Sequence, residues 1–171
     1  VKRMYGLLEA DFRHAYKKQL ASILPVGIYT VPEISTVGLT EEQARDLAID
    51  VVVGRAPYLQ NARGLILGDT TGMVKLIVSA ADQNLPEGAD IPGVHGEPGE
   101  PPRLKEQQLV GVHIIGELAT EIIHAGLACL YYHGTIDYFI QSVFNFPTLS
   151  DAFKYAAYDA LGKMEQKNRR S

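Results

Sequence analysis

Apolar positions recur at near-helical spacing over residues 4–20, where Leu7, Leu8, Phe12, Tyr16 and Leu20 predict a lead-in helix that Pro25 ends. The pattern then changes to short β-branched and aromatic runs. Residues 27–31, stopped by Pro32, read as a strand near a sheet edge. Residues 50–56 hold Val51, Val52 and Val53, residues 65–67 are apolar between glycines, and residues 73–78 alternate Met73, Leu76 and Val78 with polar or smaller partners. These three runs predict successive antiparallel strands. Ahead of these runs, Thr40-Glu41-Glu42-Gln43 is a capping box that opens a short helix to about Ala48.

Residues 81–108 contain Pro86, Pro92, Pro98, Pro101 and Pro102 with four glycines, a composition too polar and too broken to pack; a long surface loop is predicted over 82–108. Residues 108–116 then form the strongest strand pattern in the chain. It feeds a helix over 117–133 that puts Leu118, Ile122 and Leu130 on one face, with Gly134 as its cap. Two further helices, 135–143 and 148–164, each open on a threonine able to serve as N-cap. Strands first and helices last predict an α+β domain, an antiparallel sheet of about five strands with helices packed on it. The domain is expected over 25–164, preceded by a lead-in segment (1–24) and followed by a tail (165–171).

Composition narrows the function classes. The chain of 171 residues is 46% hydrophobic, enough for one domain with a real core. Sixteen basic and 20 acidic residues give a net charge of -4 with no basic cluster before the last residues, so no nucleic-acid partner is expected. No stretch approaches the roughly 20 apolar residues of a membrane span, and none is expected. The single cysteine, Cys129, lies in an apolar run and fits a reducing, cytoplasmic compartment. The opening on Val1 is read as the continuation of a longer chain.

Three segments carry a family resemblance. The run from Ile28 through Pro32, Glu33, Val37 and Gly38 to Thr40 and Glu41 resembles the opening of the C-terminal dimerisation domain of the FAD-dependent pyridine nucleotide-disulfide oxidoreductases. Gly111-Val112-His113-Ile114-Ile115-Gly116 with Ala119 and Glu121-Ile122-Ile123 is similar to that domain's last strand and following helix. Asn145-Phe146-Pro147-Thr148, with Asp151, stands in the place of the terminal His-Pro-Thr-x-x-Glu motif.

The third segment departs from the pattern. In the disulfide reductases the residue before that proline is a histidine that reaches the partner subunit's flavin and moves protons for thiol chemistry; here it is Phe146. A phenyl ring cannot act as general base, a contribution of about 100- to 10,000-fold. Hydride exchange between nicotinamide and flavin needs face-to-face positioning instead, and the run looks closest to the soluble transhydrogenase branch. The resemblance therefore implies a dimerisation domain, inactive and binding no cofactor by itself, of an enzyme that moves hydride between NADPH and NAD through FAD. It also implies a homodimer in which Asn145, Phe146 and Pro147 face the flavin of the other subunit, and a cis Phe146-Pro147 bond. Asp151, with no histidine to hold, is expected to complete a helix cap. A dihydrolipoamide dehydrogenase-like enzyme and a stand-alone dimeric interaction module are the alternatives.

Other patterns are weaker. Glu121-x-x-His124 has a di-iron spacing, but such a site needs a second copy that the chain lacks, so a surface or interface pair is expected and no metal site. No nucleophile elbow accompanies His113, which is expected to be a hydrogen-bonded interface histidine. Gly93-x-x-Gly96-x-x-Gly99 has the wrong spacing for a phosphate loop. The aromatic run that includes Tyr131, Tyr132, Tyr138, Phe139 and Phe144 suits an interface centre. Together His113, Glu121, His124, Tyr138 and Phe139 are expected to line an isologous two-fold dimer contact.

Overall fold

A computed structural model describes residues 23–86, 91, 94 and 102–169; the lead-in helix expected at 4–20 lies outside them. β1 (Val26–Ile28) and β2 (Ile34–Gly38) form a hairpin whose turn carries a cis bond before Pro32. There follow α1 (Glu41–Asp46), β3 (Val51–Pro57), a 3₁₀ turn (Tyr58–Gln60), α2 (Ala62–Leu67), β4 (Met73–Ser79), and a short antiparallel pair of β5 (Gln83–Asn84) and β6 (Arg103–Leu104). β7 (Leu109–Ile115), α3 (Ala119–Tyr131), α4 (Asp137–Gln141), a second 3₁₀ turn (Leu149–Asp151) and α5 (Ala152–Asn168) complete the order. The main sheet runs β1-β2-β7-β4-β3 with every neighbouring pair antiparallel, which bears out the α+β reading and its five strands.

Strand alternation divides the buried residues between two faces. Val37, Val52, Val74, Leu76, Val112 and Ile114 face α3 and α5 and form the larger core. α5 lies close enough to β3 that a Cβ on Gly54 would stand 2.0 Å from the Ala156 carbonyl oxygen. The same contact is tied by polar bonds: the Arg55 amide donates to Asp159 Oδ2 at 2.8 Å and Lys163 Nζ donates to the Val53 carbonyl at 2.8 Å. On the other face Ile77 and Val110 are covered by Leu39, Ala44 and Ile49 around α1, and by Leu85, Ile91, Val94 and Leu104.

At its described residues, that second core departs from the expectation of a surface loop over 82–108. Four apolar residues dispersed among the prolines bury themselves against the sheet. The Gln83 side chain accepts the Asp50 amide and donates to the Asp50 carbonyl, fixing the segment to the start of β3. A second correction concerns residues 65–67, which are helical rather than extended. Asn61 Oδ1 accepts the amides of Arg63 and Gly64, Gly68 stops the helix in the left-handed region, and these two local devices outweigh the apolar run between them. At the end of α3 the left-handed residue is His133 (φ 53) and not the expected Gly134. The capping box of Thr40 and Gln43 is present in both bonds, at 3.1 and 2.9 Å.

Candidate functional site

One end of the sheet collects the segments that carry the unusual chemistry. Ile34 pairs with Ile115, and Met73 pairs with both Ile115 and Pro57, so the β1–β2 turn, the β3–β4 connection and the β7–α3 turn emerge side by side. Asn61, buried to 2% exposure, brings in a fourth segment: its Nδ2 donates to the Thr148 carbonyl at 3.0 Å. In that loop Thr148 Oγ1 donates to the Asn145 carbonyl at 2.7 Å and the Phe146-Pro147 bond is cis, as expected. The turn holds Asn145 and Pro147 at the surface, with the Phe146 ring 70% exposed.

Asp69 and Tyr58 knit this end together. Asp69 accepts the amides of Thr71 and Gly72 through Oδ1 and the amide of Glu117 through Oδ2 at 2.8 Å. Burial alone would raise its pKa, but these donors outweigh it and hold the carboxyl below its ordinary value. The fully buried Tyr58 donates its hydroxyl to the Glu117 carbonyl at 3.3 Å, and its pKa is raised first by burial and then by Asp69, Glu33 and Glu117. Neither residue belongs to a sequence motif; an asparagine before Ala62 and the Asp69-x-Thr71 turn were the local signals available. The turn residues Thr30, Val31 and Pro32 face Leu67 and Gly68 across an open cleft of about 290 Å³, with Glu33, Asp69 and Glu117 at its polar side.

Asp151 does not cap a helix, contrary to expectation. It stands at the α5 N-cap with helical backbone angles and no cap bond from its side chain. The residue is buried, and its charge, with burial and hydrogen bonding adding to the effect, raises the pKa of Tyr155 one turn on. The 3₁₀ turn leads directly into α5, so Asp151 is already helical and Tyr155 is its i, i+4 neighbour on the same face.

The expected interface residues separate into three places. Tyr138 is half-exposed and lines a small apolar cavity with Tyr132, which meets Tyr131 edge-on at the C-terminal end of α3. Phe139 is instead fully buried and stacks on Phe153 at 4.9 Å, so it supports that surface from beneath and offers nothing to a partner. Glu121 and His124 lie exposed on α3, His124 Nδ1 donating to the Glu121 carbonyl at 3.0 Å. His113 is on the opposite sheet face, where its Nε2 donates to the Leu39 carbonyl at 2.8 Å; burial, opposed by that carbonyl, keeps its pKa below the ordinary histidine value. Among the described residues no group of three or more His, Cys, Asp or Glu is placed to hold a metal ion. Cys129 is buried with its thiol pushed up to about 12 by desolvation.

The profile of the family described as pyridine nucleotide-disulphide oxidoreductase, dimerisation domain, matches residues 24–96 and 103–157. A soluble pyridine nucleotide transhydrogenase of Mycobacterium bovis (strain BCG / Pasteur 1173P2) is 40% identical over 149 residues, covering 87% of this chain and 27% of the relative. A protein of the same name from Sodalis glossinidius (strain morsitans) is 36% identical, covering 85% of this chain and 27% of the relative. The chain thus spans about a quarter of the length of these relatives. Among solved structures, LpdA from Mycobacterium tuberculosis superimposes with a TM-score of 0.60 at 18% identity, over 79% of this chain and 24% of that one. The Cu(II) complex of the HOCl-induced flavoprotein disulfide reductase RclA from Escherichia coli does so with 0.61 at 21% identity, over 79% and 25%. At these identities the two structures establish the fold alone. No helix among the described residues is long and apolar enough to cross a membrane.

Proposed function

The chain belongs to the pyridine nucleotide-disulphide oxidoreductase dimerisation-domain family, and on that premise we propose that it pairs two subunits of a longer FAD-dependent transhydrogenase and presents Asn145, Phe146 and Pro147 to the flavin of the other subunit. The observation that carries the reading is the exposed Phe146 ring, held on a cis-proline turn at the position where the disulfide reductases carry a proton-shuttling histidine. The tip fits a flavin ring: it offers an apolar aromatic face and no ionisable group. Bound FAD would supply the relay of hydride between NADPH and NAD.

This chain's own residues would then act by position. The Phe146 ring excludes water from the reacting faces and accepts no proton, so a dithiol substrate finds no base there. Asn61 and Thr148 hold the turn that aims the ring. The exposed Tyr131, Tyr132 and Tyr138, backed by Phe139, form the centre of the subunit contact, with Glu121 and His124 at its rim. His113, on the other sheet face, would contribute to pairing through that face. A cytoplasmic location, supported by the lone buried Cys129, completes the reading.

The test is a pair of assays on the longer enzyme. Hydride exchange from NADPH to NAD is expected to be rapid and dihydrolipoamide oxidation negligible. The reverse ranking would move the enzyme to the dihydrolipoamide dehydrogenase type. This chain alone is expected to dimerise, to retain no flavin after gel filtration and to catalyse neither reaction; tight FAD retention by the chain would defeat the proposal.

A further inference from the structure

The turn that carries Phe146 is held by a route that runs through a residue far from it in sequence. Inside the loop, Thr148 Oγ1 donates to the Asn145 carbonyl at 2.7 Å. Among the described residues, the hydrogen bond that leaves the loop runs from Asn61 Nδ2 to the Thr148 carbonyl, at 3.0 Å. Asn61 is placed in turn by Tyr58, because the Asn61 amide donates to the Tyr58 carbonyl at 2.9 Å. That bond can fix the loop only as firmly as Asn61 is itself fixed, so the constraint passes back to Tyr58.

Tyr58 is fixed from three sides. Its amide donates to the Gly72 carbonyl at 2.8 Å and its hydroxyl to the Glu117 carbonyl at 3.3 Å, which ties it to the entry of β4 and to the β7–α3 turn at once. Its fully buried ring fills a slot walled by glycines. A Cβ on Gly72 would stand 2.3 Å from the ring carbon Cδ2, and one on Gly116 would stand 2.7 Å from Cε2. A side chain at either place would displace the ring, so the slot admits it in a single position. We propose that Tyr58 is a positioning residue for Phe146: it registers Asn61 and the start of α2 against the sheet, and through Asn61 and Thr148 it fixes where the aromatic tip points. That this tip meets a flavin rests on the function proposed above; that Tyr58 aims it does not.

The test measures backbone order parameters at the Asn145, Phe146 and Thr148 amides of the isotopically labelled full chain. Four variants are compared with the parent: Tyr58→Leu, Tyr58→Phe, Gly72→Ala and Leu104→Ala. Leu104, buried in the second core on the other sheet face, is the control for lost stability. Order parameters near about 0.85 are expected in the parent, in Tyr58→Phe, which keeps the ring, and in Leu104→Ala; values below about 0.6 are expected in Tyr58→Leu. Gly72→Ala crowds the ring without removing it, carries the same expectation as Tyr58→Leu, and replaces that variant if it does not fold. Amides that stay rigid when the ring is removed or displaced overturn the proposal. So does an equal loss of order in Leu104→Ala, which would assign the effect to general stability. Hydride exchange by the longer enzyme is measured on the same variants, and Tyr58→Leu is expected to lower kcat about tenfold or more while KM stays within about twofold. Loosened amides with an unchanged kcat uphold the positioning role of Tyr58 and remove the flavin reading.

Discussion

Asn61 and Thr148, 87 residues apart, are joined by a hydrogen bond of 3.0 Å that couples the start of α2 to the loop bearing Phe146. The same asparagine accepts the amides of Arg63 and Gly64 through its other side-chain atom. Asn61→Ala therefore removes a helix cap and takes a donor from the part-buried Thr148 carbonyl. The expected loss is about 2–3 kcal/mol in urea unfolding, more than a cap alone. Asn61→Asp keeps the cap but cannot donate to Thr148, and is expected to fall between the wild type and Asn61→Ala; equal stability of all three would show that the bridge contributes nothing.

The buried and exposed members of the aromatic cluster should respond differently. Phe139→Ala opens a cavity against Phe153 and is expected to cost about 3–5 kcal/mol of folding stability. Tyr132, 79% exposed, is expected to change stability by less than about 0.5 kcal/mol when replaced by alanine. The same Tyr132→Ala change should raise the dimer dissociation constant about tenfold or more in sedimentation equilibrium if the tyrosine surface is the subunit contact.

His113 predicts a pH dependence. Its folded pKa lies below the unfolded value near 6.5, chiefly through burial, with Lys75 adding to the effect and Glu41 and the Leu39 carbonyl opposing it. Protonation thus favours the unfolded chain. The stability contribution is complete above the unfolded pKa and is lost as the pH falls below it towards the folded value. Arg55 and Lys75 are both paired with Glu41. His113→Gln retains a donor for Leu39 without the titration, so the drop in Tm between about pH 7.5 and about pH 5.5 should shrink. An unchanged drop would assign the acid sensitivity to other groups.

Two glycines separate a close approach from simple propensity. A Cβ at Gly54 would meet the Ala156 carbonyl oxygen at 2.0 Å, so Gly54→Ala must push α5 off β3, at about 3 kcal/mol or more. Gly162, within α5, has nothing within 4 Å of its missing Cβ. Gly162→Ala is expected to stabilise by about 0.5–1 kcal/mol. Thermal unfolding of the two variants should move in opposite directions.

The parts of the molecule legible in advance were those specified within a few residues. Thr40 and Gln43 cap α1 because both partners lie in one turn, and the nearly unbroken apolar, β-branched run of 109–115 reads as a strand. Leu65, Ile66 and Leu67 were misread because three apolar residues have no measurable period; the deciding groups, Asn61 and Gly68, flank them. β2 went unnoticed in the hydrophobic pattern because its Ser35 and Thr36 dilute the apolar signal, although Ser35 is buried and bonded to the Val26 carbonyl. Of the candidate site, Phe146 and its cis proline were readable from the motif, whereas Asn61, Asp69 and Tyr58, which hold that end of the sheet together, were not.

By itself the sequence determined the α+β class, the positions of most strands and helices, the family, and the replacement of a proton-carrying histidine by Phe146. These depend on local period, caps and short motifs, which act between neighbours along the chain. Only the tertiary structure decided that Leu85, Ile91, Val94 and Leu104 build a second core, that Phe139 is buried against Phe153, that Asp151 acts on Tyr155, and that Val31 and Leu67 line one cleft. Each of those outcomes turns on which surface a side chain meets after dozens of intervening residues have folded, and burial against a distant surface leaves no period or spacing to read.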